Sequence, residues 1–352
     1  MSNRMDFLSS LRIVAAGMGR TMSHPRMVET VLSMVRRADD NEPIRVVYLG
    51  TASFDDLEAE ERQVAGFRAH PACQVYALRV SERIAQQPSA DEIRGLILSA
   101  DVLQVSGGNT LYAMNRWKQL GIDRLIRQAA ATGTVLCGGS AGAICWFQQG
   151  HSQSQNPAMQ LHVDPNLTDE QRRNWKYMLV EGLGLLPLFC VPHHDVCQTN
   201  GVPREIDSNQ MMMQQLPRQI MMGIGIDEEA ALVVQDGSVR VVTVKEGATC
   251  CLKYCRGGFG NQAEVVIRRL DEANGCLPLQ KMLLLSRPAP ISRSATEHHA
   301  SDTAHETTHH RRRVTSVWGD TNLSDATHRR CASWMEKAQS LSSLPEDPAV
   351  RA

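Results

Sequence analysis

The 352-residue chain lacks the features that mark several large classes of protein. It has no apolar run of about 18 residues, so the sequence predicts no membrane-spanning helix and no membrane partner. Its 37 basic and 38 acidic residues leave a net charge of −1, which gives no general attraction to nucleic acid or anionic lipid. Small polar molecules are therefore the expected ligands.

The N-terminal pattern predicts a first strand rather than a secretory signal, and the cysteine spacing does not predict a metal site. Asp6 interrupts the short apolar patch near the N-terminus, and no small-residue cleavage site follows it. The cluster of Cys250, Cys251 and Cys255 has the spacing C-C-x3-C, without the paired two-residue spacers of a zinc ribbon. We therefore expect a cytoplasmic protein with reduced cysteines and no metal ion.

Up to about residue 245, short apolar runs alternate with segments of helical periodicity. The runs are rich in Val, Leu and Ile and end at or near glycine, which is typical of strands buried on both faces of a parallel sheet. The predicted strands are 11–17, 44–50, 73–78, 101–107 and 134–138, and the predicted helices are 25–38, 55–69, 90–99 and 110–131. This alternation predicts an α/β fold with a mostly parallel sheet, whose ligands bind beyond the carboxyl ends of the strands.

The later sequence divides into a strand-rich part and a polar tail. Apolar runs at 188–195, 220–234 and 238–244 predict further strands, and Asp236-Gly237 is typical of a hairpin turn between the last two. After about residue 285 the chain is polar and unperiodic, with too few apolar residues to offset the entropy of ordering. We expect one α/β domain over residues 1–284 and a disordered, histidine-containing tail over 285–352.

A serine flanked by glycines follows the fifth predicted strand, where residues 138–142 read GGSAG. In a G-x-S-x-G turn between a strand and a helix, the backbone at serine is strained and the hydroxyl stands clear of its neighbours. Ala141 would open the helix, so its N–H could stabilise an oxyanion. The same letters also fit a tight connection with an idle serine, and the strand-turn-helix context favours Ser140 as a nucleophile.

The groups that a serine nucleophile requires occur at other predicted strand ends. Gly108 in the segment SGGNT (106–110) could donate a second oxyanion N–H, while Asn109 could cap the next helix or contact substrate. His193 and His194 lie at the end of a predicted strand within 188–195 and could supply the base. The carboxylates that could orient this base are Asp227, Glu228 and Glu229.

Five segments together resemble one family. They read VVYLGTAS (46–53), VSGGNT (105–110), GGSAGA (138–143), PHHD (192–195) and GIGIDEEAALV (223–233). In order and spacing they are similar to the signature blocks of the serine peptidases that include dipeptidase E (alpha-aspartyl dipeptidase) and cyanophycinase, over about residues 12–245. The first loop, AGMGR (16–20), departs from the run of glycines common in that family.

The resemblance implies a three-layer sandwich like that of class I glutamine amidotransferases, with a Ser-His-Glu triad and no cofactor. The implied function is a serine-type dipeptidase or other exopeptidase acting on small or acidic peptides. The implied triad is Ser140, His193 and Glu228, with Asp227 and Glu229 adjacent to the third position. The implied oxyanion donors are Gly108 and Ala141, and the substrate-binding candidates are Asn109 and Arg204, followed by Arg116 and Arg218.

Two alternatives stay open from the sequence. An α/β-hydrolase esterase would share G-x-S-x-G, but its acid, Asp164 or Asp169, would precede the histidine, and the chain has no HGGG block. A non-catalytic binding protein could use the same scaffold, which the altered first loop would permit. For either function, a homodimer is the expected assembly because two-fold dimers are the commonest closed oligomers.

Overall fold

A computed structural model of the chain describes residues 7–37, 42–215, 222–256 and 264–284, which form two β-sheets with associated helices. The strands are β1 Arg12–Ala16, β2 Ile44–Leu49, β3 Cys73–Leu78, β4 Val102–Val105, β5 Val135–Gly139, β6 Phe147–Ser152, β7 Met178–Glu181, β8 Leu186–Pro192, β9 Met222–Ile226, β10 Ala230–Gln235, β11 Ser238–Thr243, β12 Cys250–Arg256, β13 Glu264–Leu270 and β14 Leu277–Pro278. The α-helices are α1 Pro25–Leu32, α2 Leu57–Ala69, α3 Ala90–Leu98, α4 Thr110–Leu120, α5 Ile122–Ala131, α6 Ala141–Ile144, α7 Asp169–Arg173, α8 Arg204–Gln215 and α9 Leu279–Leu284. The predicted tail at 285–352 lies outside the described residues.

The first sheet has the strand order β14-β11-β10-β1-β5-β4-β2-β3. The five neighbouring strands β1, β5, β4, β2 and β3 are parallel to one another, and they correspond to the five predicted strands. The remaining strands are antiparallel, and β10 and β11 form the predicted hairpin, in which Asp236 and Gly237 have φ of 50° and 72°. The expected α/β fold with a mostly parallel central sheet is confirmed.

Both faces of this sheet are covered, because its strands alternate apolar side chains between two cores. Ile13 of β1 belongs to the core shared with α3, α4 and α5, where Trp117 and Ile126 are buried. Val14, on the opposite face, packs in the core formed with α1 and α2. Because both faces of these strands are buried, the sequence shows near-continuous runs of Val, Leu and Ile at their positions.

A second sheet, with the order β13-β12-β9-β8-β6-β7, was not predicted as a separate unit. Its strands β8 and β9 pair in parallel and pack one face against the core of the first sheet. The predicted strands do not include β6, β7, β12 or β13, and in β6 and β12 buried polar residues interrupt the apolar pattern. His151 of β6 and Lys253 of β12, for example, are both fully buried.

The predicted helix at 110–131 is two helices, α4 and α5, which meet at Gly121. This glycine has φ of 71°, and its N–H caps α4 by donating to the carbonyl of Trp117. Left-handed glycine at a helix end allows the chain to turn and begin a second helix at once. Periodicity continues across the junction, which explains why the sequence pattern indicated one helix.

Strand pairing brings the functional segments together. Ala16 of β1 and Val105 of β4 pair with Gly139 and Gly138 of β5, so three strands end beside Ser140. In the second sheet, Pro192 pairs with Ile226, which places the segments after β8 and β9 side by side. None of the helices in the described ranges is both long and apolar enough to cross a bilayer.

Two glycine-to-alanine variants should change stability in opposite directions. A Cβ atom added to Gly95 or to Gly121 would meet no atom within 4 Å, so only backbone conformation separates the two sites. Gly95→Ala, inside α3, should raise the free energy of unfolding by about 0.5–1 kcal/mol, because alanine loses less entropy in a helix. Gly121→Ala should lower it by about 1 kcal/mol, because alanine disfavours positive φ. Urea denaturation measures both changes, and equal shifts would contradict the assigned conformations.

Candidate active site

Ser140 lies on a sharp turn between β5 and α6. Its φ of 57° and ψ of −117° are unusual for a residue with a side chain. Adjacent chain segments leave no room for side chains around it: a Cβ on Gly139 would lie 2.1 Å from the carbonyl oxygen of Met18, and one on Gly142 would lie 2.3 Å from that of Val105. The glycines on either side are therefore sterically required.

His193 connects Ser140 to a carboxylate. It follows β8, and its Nε2 lies 2.8 Å from the Oγ of Ser140. Its Nδ1 lies 2.6 Å from Oε1 of Glu228, which is in the turn between β9 and β10. An ionised carboxylate can only accept, so Nδ1 carries the proton and Nε2 accepts from the serine hydroxyl.

The three neighbouring acids have different partners. Oδ2 of Asp227 accepts the backbone N–H of Thr249 at 2.9 Å, and Glu229 pairs with Arg20 at the surface at 3.4 Å. Within the described part of the chain, Glu228 is the member of this group that hydrogen-bonds to His193. The geometry thus distinguishes three positions that the sequence left open.

Asp195 reinforces the pairing of His193 with Glu228. Its Oδ1 accepts the backbone N–H of Glu228 at 2.9 Å, which links the loop that carries the histidine to the turn that carries the carboxylate. Burial and the nearby charge of Asp227 raise the pKa of Asp195 to about 6. Sequence reasoning gave Asp195 no role, although it lies within the segment PHHD.

Electrostatics favour neutral His193 and ionised Glu228 at neutral pH. Burial lowers the pKa of His193, and the hydrogen bond that it donates to Glu228 opposes this effect only in part. Burial raises the pKa of Glu228, but the hydrogen bond from His193 and the positive charges of Arg20 and Arg204 bring it below its ordinary value. The pair is therefore in the state in which a histidine can act as a base.

The loop after β4 lies against the serine. A Cβ on Gly107 would be 3.4 Å from the Cβ of Ser140, and Gly108 has φ of 134°, which favours glycine. The N–H groups of Gly108 and Ala141 have no protein acceptor within the described residues. Both candidate oxyanion donors are thus in segments adjacent to the serine.

The expected substrate contact of Asn109 is not supported by its surroundings. Asn109 caps α4: its Oδ1 accepts the N–H of Tyr112 at 3.0 Å, and its Nδ2 donates to the carbonyl of Met159 at 2.6 Å. Its amide is therefore already engaged on both sides. The sequence allowed both a cap and a substrate contact, and the structure shows the cap.

Arg204 is likewise enclosed rather than presented to a ligand. It is 1% exposed, and its Nη1 donates to the carbonyls of Pro192 at 2.8 Å and His151 at 3.2 Å. Arg116 is tied to the carbonyl of Val80 at 2.7 Å, and Arg218 lies outside the described residues. Burial, which a position in the sequence does not reveal, separates Arg204 from the expected substrate carboxylate.

The esterase arrangement and a metal centre are also without support in the described ranges. Asp164 and Asp169 are exposed, and neither contacts His193. Within the same ranges, no group of three or more His, Cys, Asp or Glu side chains could hold a metal ion. The cysteines at 250, 251 and 255 are free thiols.

Comparison with known proteins identifies the family. Over 150 residues the chain is 30% identical to "Uncharacterized peptidase YgaJ" of Bacillus subtilis (strain 168), a match that covers 43% of this chain and 62% of the relative. It is 27% identical over 256 residues to the Trypanosoma brucei brucei protein named "G2/mitotic-specific cyclin-1", with 64% and 74% covered. The fold is similar to the crystal structure of a peptidase from an acI-B1 Actinobacterium, with a TM-score of 0.51, 17% identity, and 76% and 96% covered. Residues 13–242 match the model of peptidase family S51, and because this match spans more than half of the sequence, the chain belongs to that family.

Proposed function

We propose that the chain is a serine peptidase that hydrolyses small or acidic peptides through an acyl-enzyme, with a dipeptidase as the expected type. The observation that carries the proposal is the hydrogen-bonded series from Ser140 through His193 to Glu228, with distances of 2.8 and 2.6 Å. The strained turn at Ser140 adds support, as does the peptidase name of the Bacillus relative. A cytoplasmic location and a homodimer stay predictions.

The reaction begins with proton transfer inside this series. Nε2 of His193 takes the proton of the Ser140 hydroxyl as Oγ attacks the peptide carbonyl, and Glu228 stabilises the resulting imidazolium. The N–H groups of Gly108 and Ala141 would donate to the tetrahedral oxyanion. The imidazolium then protonates the leaving amine, which gives the acyl-enzyme and the first product.

The second half of the reaction uses the same groups. His193 takes a proton from water as the water oxygen attacks the acyl carbonyl. Collapse of the second tetrahedral intermediate returns the proton to Oγ of Ser140 and releases the carboxylic acid product. Each proton removed by His193 is given back within the cycle, so the side chains return to their starting states.

Replacement of the nucleophile tests the activity directly. Ser140→Ala should lower kcat/KM by about 10⁵-fold or more on any peptide that the wild-type protein cleaves, because no attacking oxygen remains. A peptide-library cleavage profile measures this loss and also finds the preferred sequence. The control is Ser99→Ala, an exposed serine at the end of α3 that should behave as the wild type.

Two results would count against a peptidase. Undiminished cleavage by purified Ser140→Ala would show that Ser140 is not the nucleophile. No cleavage of dipeptides or acidic polymers, together with no labelling by a fluorophosphonate, would instead favour the non-catalytic binding protein.

The role of Glu228 can be tested by replacing it, and separately its neighbour Glu229, with glutamine. Glu228→Gln should lower kcat/KM by about 10³- to 10⁴-fold, because the histidine loses the carboxylate that holds its tautomer and stabilises its charge. Glu229→Gln should leave kcat/KM within about twofold, since its partner is the exposed Arg20. Equal losses in the two variants would contradict the geometry.

The pH dependence of kcat/KM gives an independent test. Activity requires neutral His193, and because its pKa is lowered from 6.5, activity should fall only below about pH 6.5. The hydrogen bond from His193 to the Glu228 carboxylate raises this pKa, so in the residual activity of Glu228→Gln the acid limb should move to lower pH. A shift to higher pH would show that Glu228 does not interact with the base.

A further inference from the structure

Gln63 of α2 lies between two loops that border the candidate nucleophile. Its Oε1 accepts the backbone N–H of Gly107 at 2.8 Å. Since an N–H group needs an oxygen as its acceptor, this contact also defines the orientation of the amide. Gly107 in turn lies against Ser140, where an added Cβ would be 3.4 Å from the serine Cβ.

The second loop is the one that departs from the glycine run of the family. A Cβ on Gly19 would lie 2.8 Å from Oε1 and 3.2 Å from Cδ of Gln63, and its next nearest atom would be the nitrogen of Gly107 at 3.6 Å. Gly19 has φ of −62° and ψ of −41°, a conformation that any residue adopts. The Gln63 amide is therefore the main steric reason for a glycine at this position.

The main chain of Gln63 is also connected to the strand that leads into the loop. Its carbonyl accepts Nε2 of Gln104 at 2.6 Å, and Gln104 is fully buried on β4. The main-chain carbonyl of Gln63 thus binds the strand that precedes the loop, and its side-chain amide binds the loop itself. None of this was visible from the sequence, where Gln63 lies in an ordinary helical segment.

We propose that Gln63 is a positioning residue for oxyanion stabilisation, an inference that rests on the proposed function. Two consecutive glycines can adopt many backbone conformations, and Gly108 has φ of 134°. By accepting the N–H of Gly107, Gln63 selects the conformation in which the next N–H, that of Gly108, is left for the substrate oxygen. Donors that are fixed before the reaction need no reorganisation when charge develops.

A double-mutant cycle on Gln63 and Gly19 tests the inference. Gln63→Ala removes the acceptor and should lower kcat, and the rate of Ser140 labelling by a fluorophosphonate, by about tenfold or more with little change in KM. This is less than the loss of about 10²- to 10³-fold found when an oxyanion donor is deleted. The reason is that a fraction of the molecules still adopts the loop conformation in which the Gly108 N–H can donate to the substrate oxygen. Gly19→Ala should give a similar loss, since its methyl group displaces the Gln63 amide.

The double variant should be no slower than Gln63→Ala alone, because without the amide the methyl group at position 19 has nothing to displace. A purely structural effect of two separate changes would instead multiply the losses. Gly95→Ala and Gln128→Ala, on exposed positions of α3 and α5, are the matched controls and should keep wild-type rates. Gly19→Ala retains the Gln63 side chain and so tests the inference even where Gln63→Ala folds poorly.

The possible failures are distinguishable. Wild-type kcat and labelling rate in Gln63→Ala, or fully multiplicative losses in the double variant, would overturn the role of Gln63 and leave the proposed peptidase intact. A loss expressed in KM alone would overturn it as well, because it would indicate a substrate contact. A wild-type protein that neither cleaves peptides nor labels at Ser140 would overturn the proposed function and this inference with it.

Discussion

Contact between main-chain atoms around Ser140 is the constraint on which the rest of the site depends. Carbonyl oxygens occupy the places where side chains would begin on the surrounding glycines, at distances of 2.0–2.3 Å from the added Cβ. The pairs are Gly17 with Asp227, Gly108 with Ala52, Gly139 with Met18 and Gly142 with Val105. Such contacts are far shorter than any side chain permits, so the strands that end here can approach only as backbone. The same crowding holds Ser140 in a conformation that an isolated serine would leave.

The base and its carboxylate are held in a similar way, by connections between the segments that carry them. The N–H of His194 donates to the carbonyl of Ile226 at 3.1 Å, and Asp195 accepts the N–H of Glu228. His193 lies between these two connections and has φ of 51°. These two hydrogen bonds therefore hold the main-chain segments of His193 and Glu228 next to each other. This is the kind of support that keeps a hydrogen-bonded pair in one geometry.

The sequence predicted the central sheet well and the second sheet poorly, for a definite physical reason. Apolar runs such as that of β5 indicate strands because both of their faces are buried among apolar side chains. In β12, by contrast, one of the buried positions is occupied by Lys253. Its ammonium group donates to Ser208 at 2.8 Å and to Asn209 at 2.9 Å, both in α8. In the sequence, a buried lysine that is hydrogen-bonded to residues distant along the chain cannot be distinguished from an exposed lysine. Periodicity therefore cannot identify such a strand.

The site shows the same division between local and long-range information. The glycines around Ser140 and the histidine pair are local patterns, and they were sufficient to nominate a nucleophile and a base. The side chain of Asp227 is held instead by Thr249, which lies more than twenty positions further along the chain, and no local pattern reveals this contact. The roles of Gln63 and Asp195 likewise consist of contacts with distant segments. Propensity and spacing carry no information on contacts of this range.

The second sheet also affects the pKa values of His193 and Glu228, because it encloses Arg204 at the start of α8. Burial is the largest influence on the pKa of both His193 and Glu228, lowering the first and raising the second. The positive charge of Arg204 lowers both, which favours the uncharged histidine and the charged carboxylate together. A buried guanidinium is strongly disfavoured unless it is paired, and here carbonyls of β6 and β8 and the ring of Tyr177, with its centroid 4.8 Å away, surround it. The second sheet therefore provides the enclosed position from which one fixed charge acts on both members of the pair, and it does so without any contact between Arg204 and the reacting atoms.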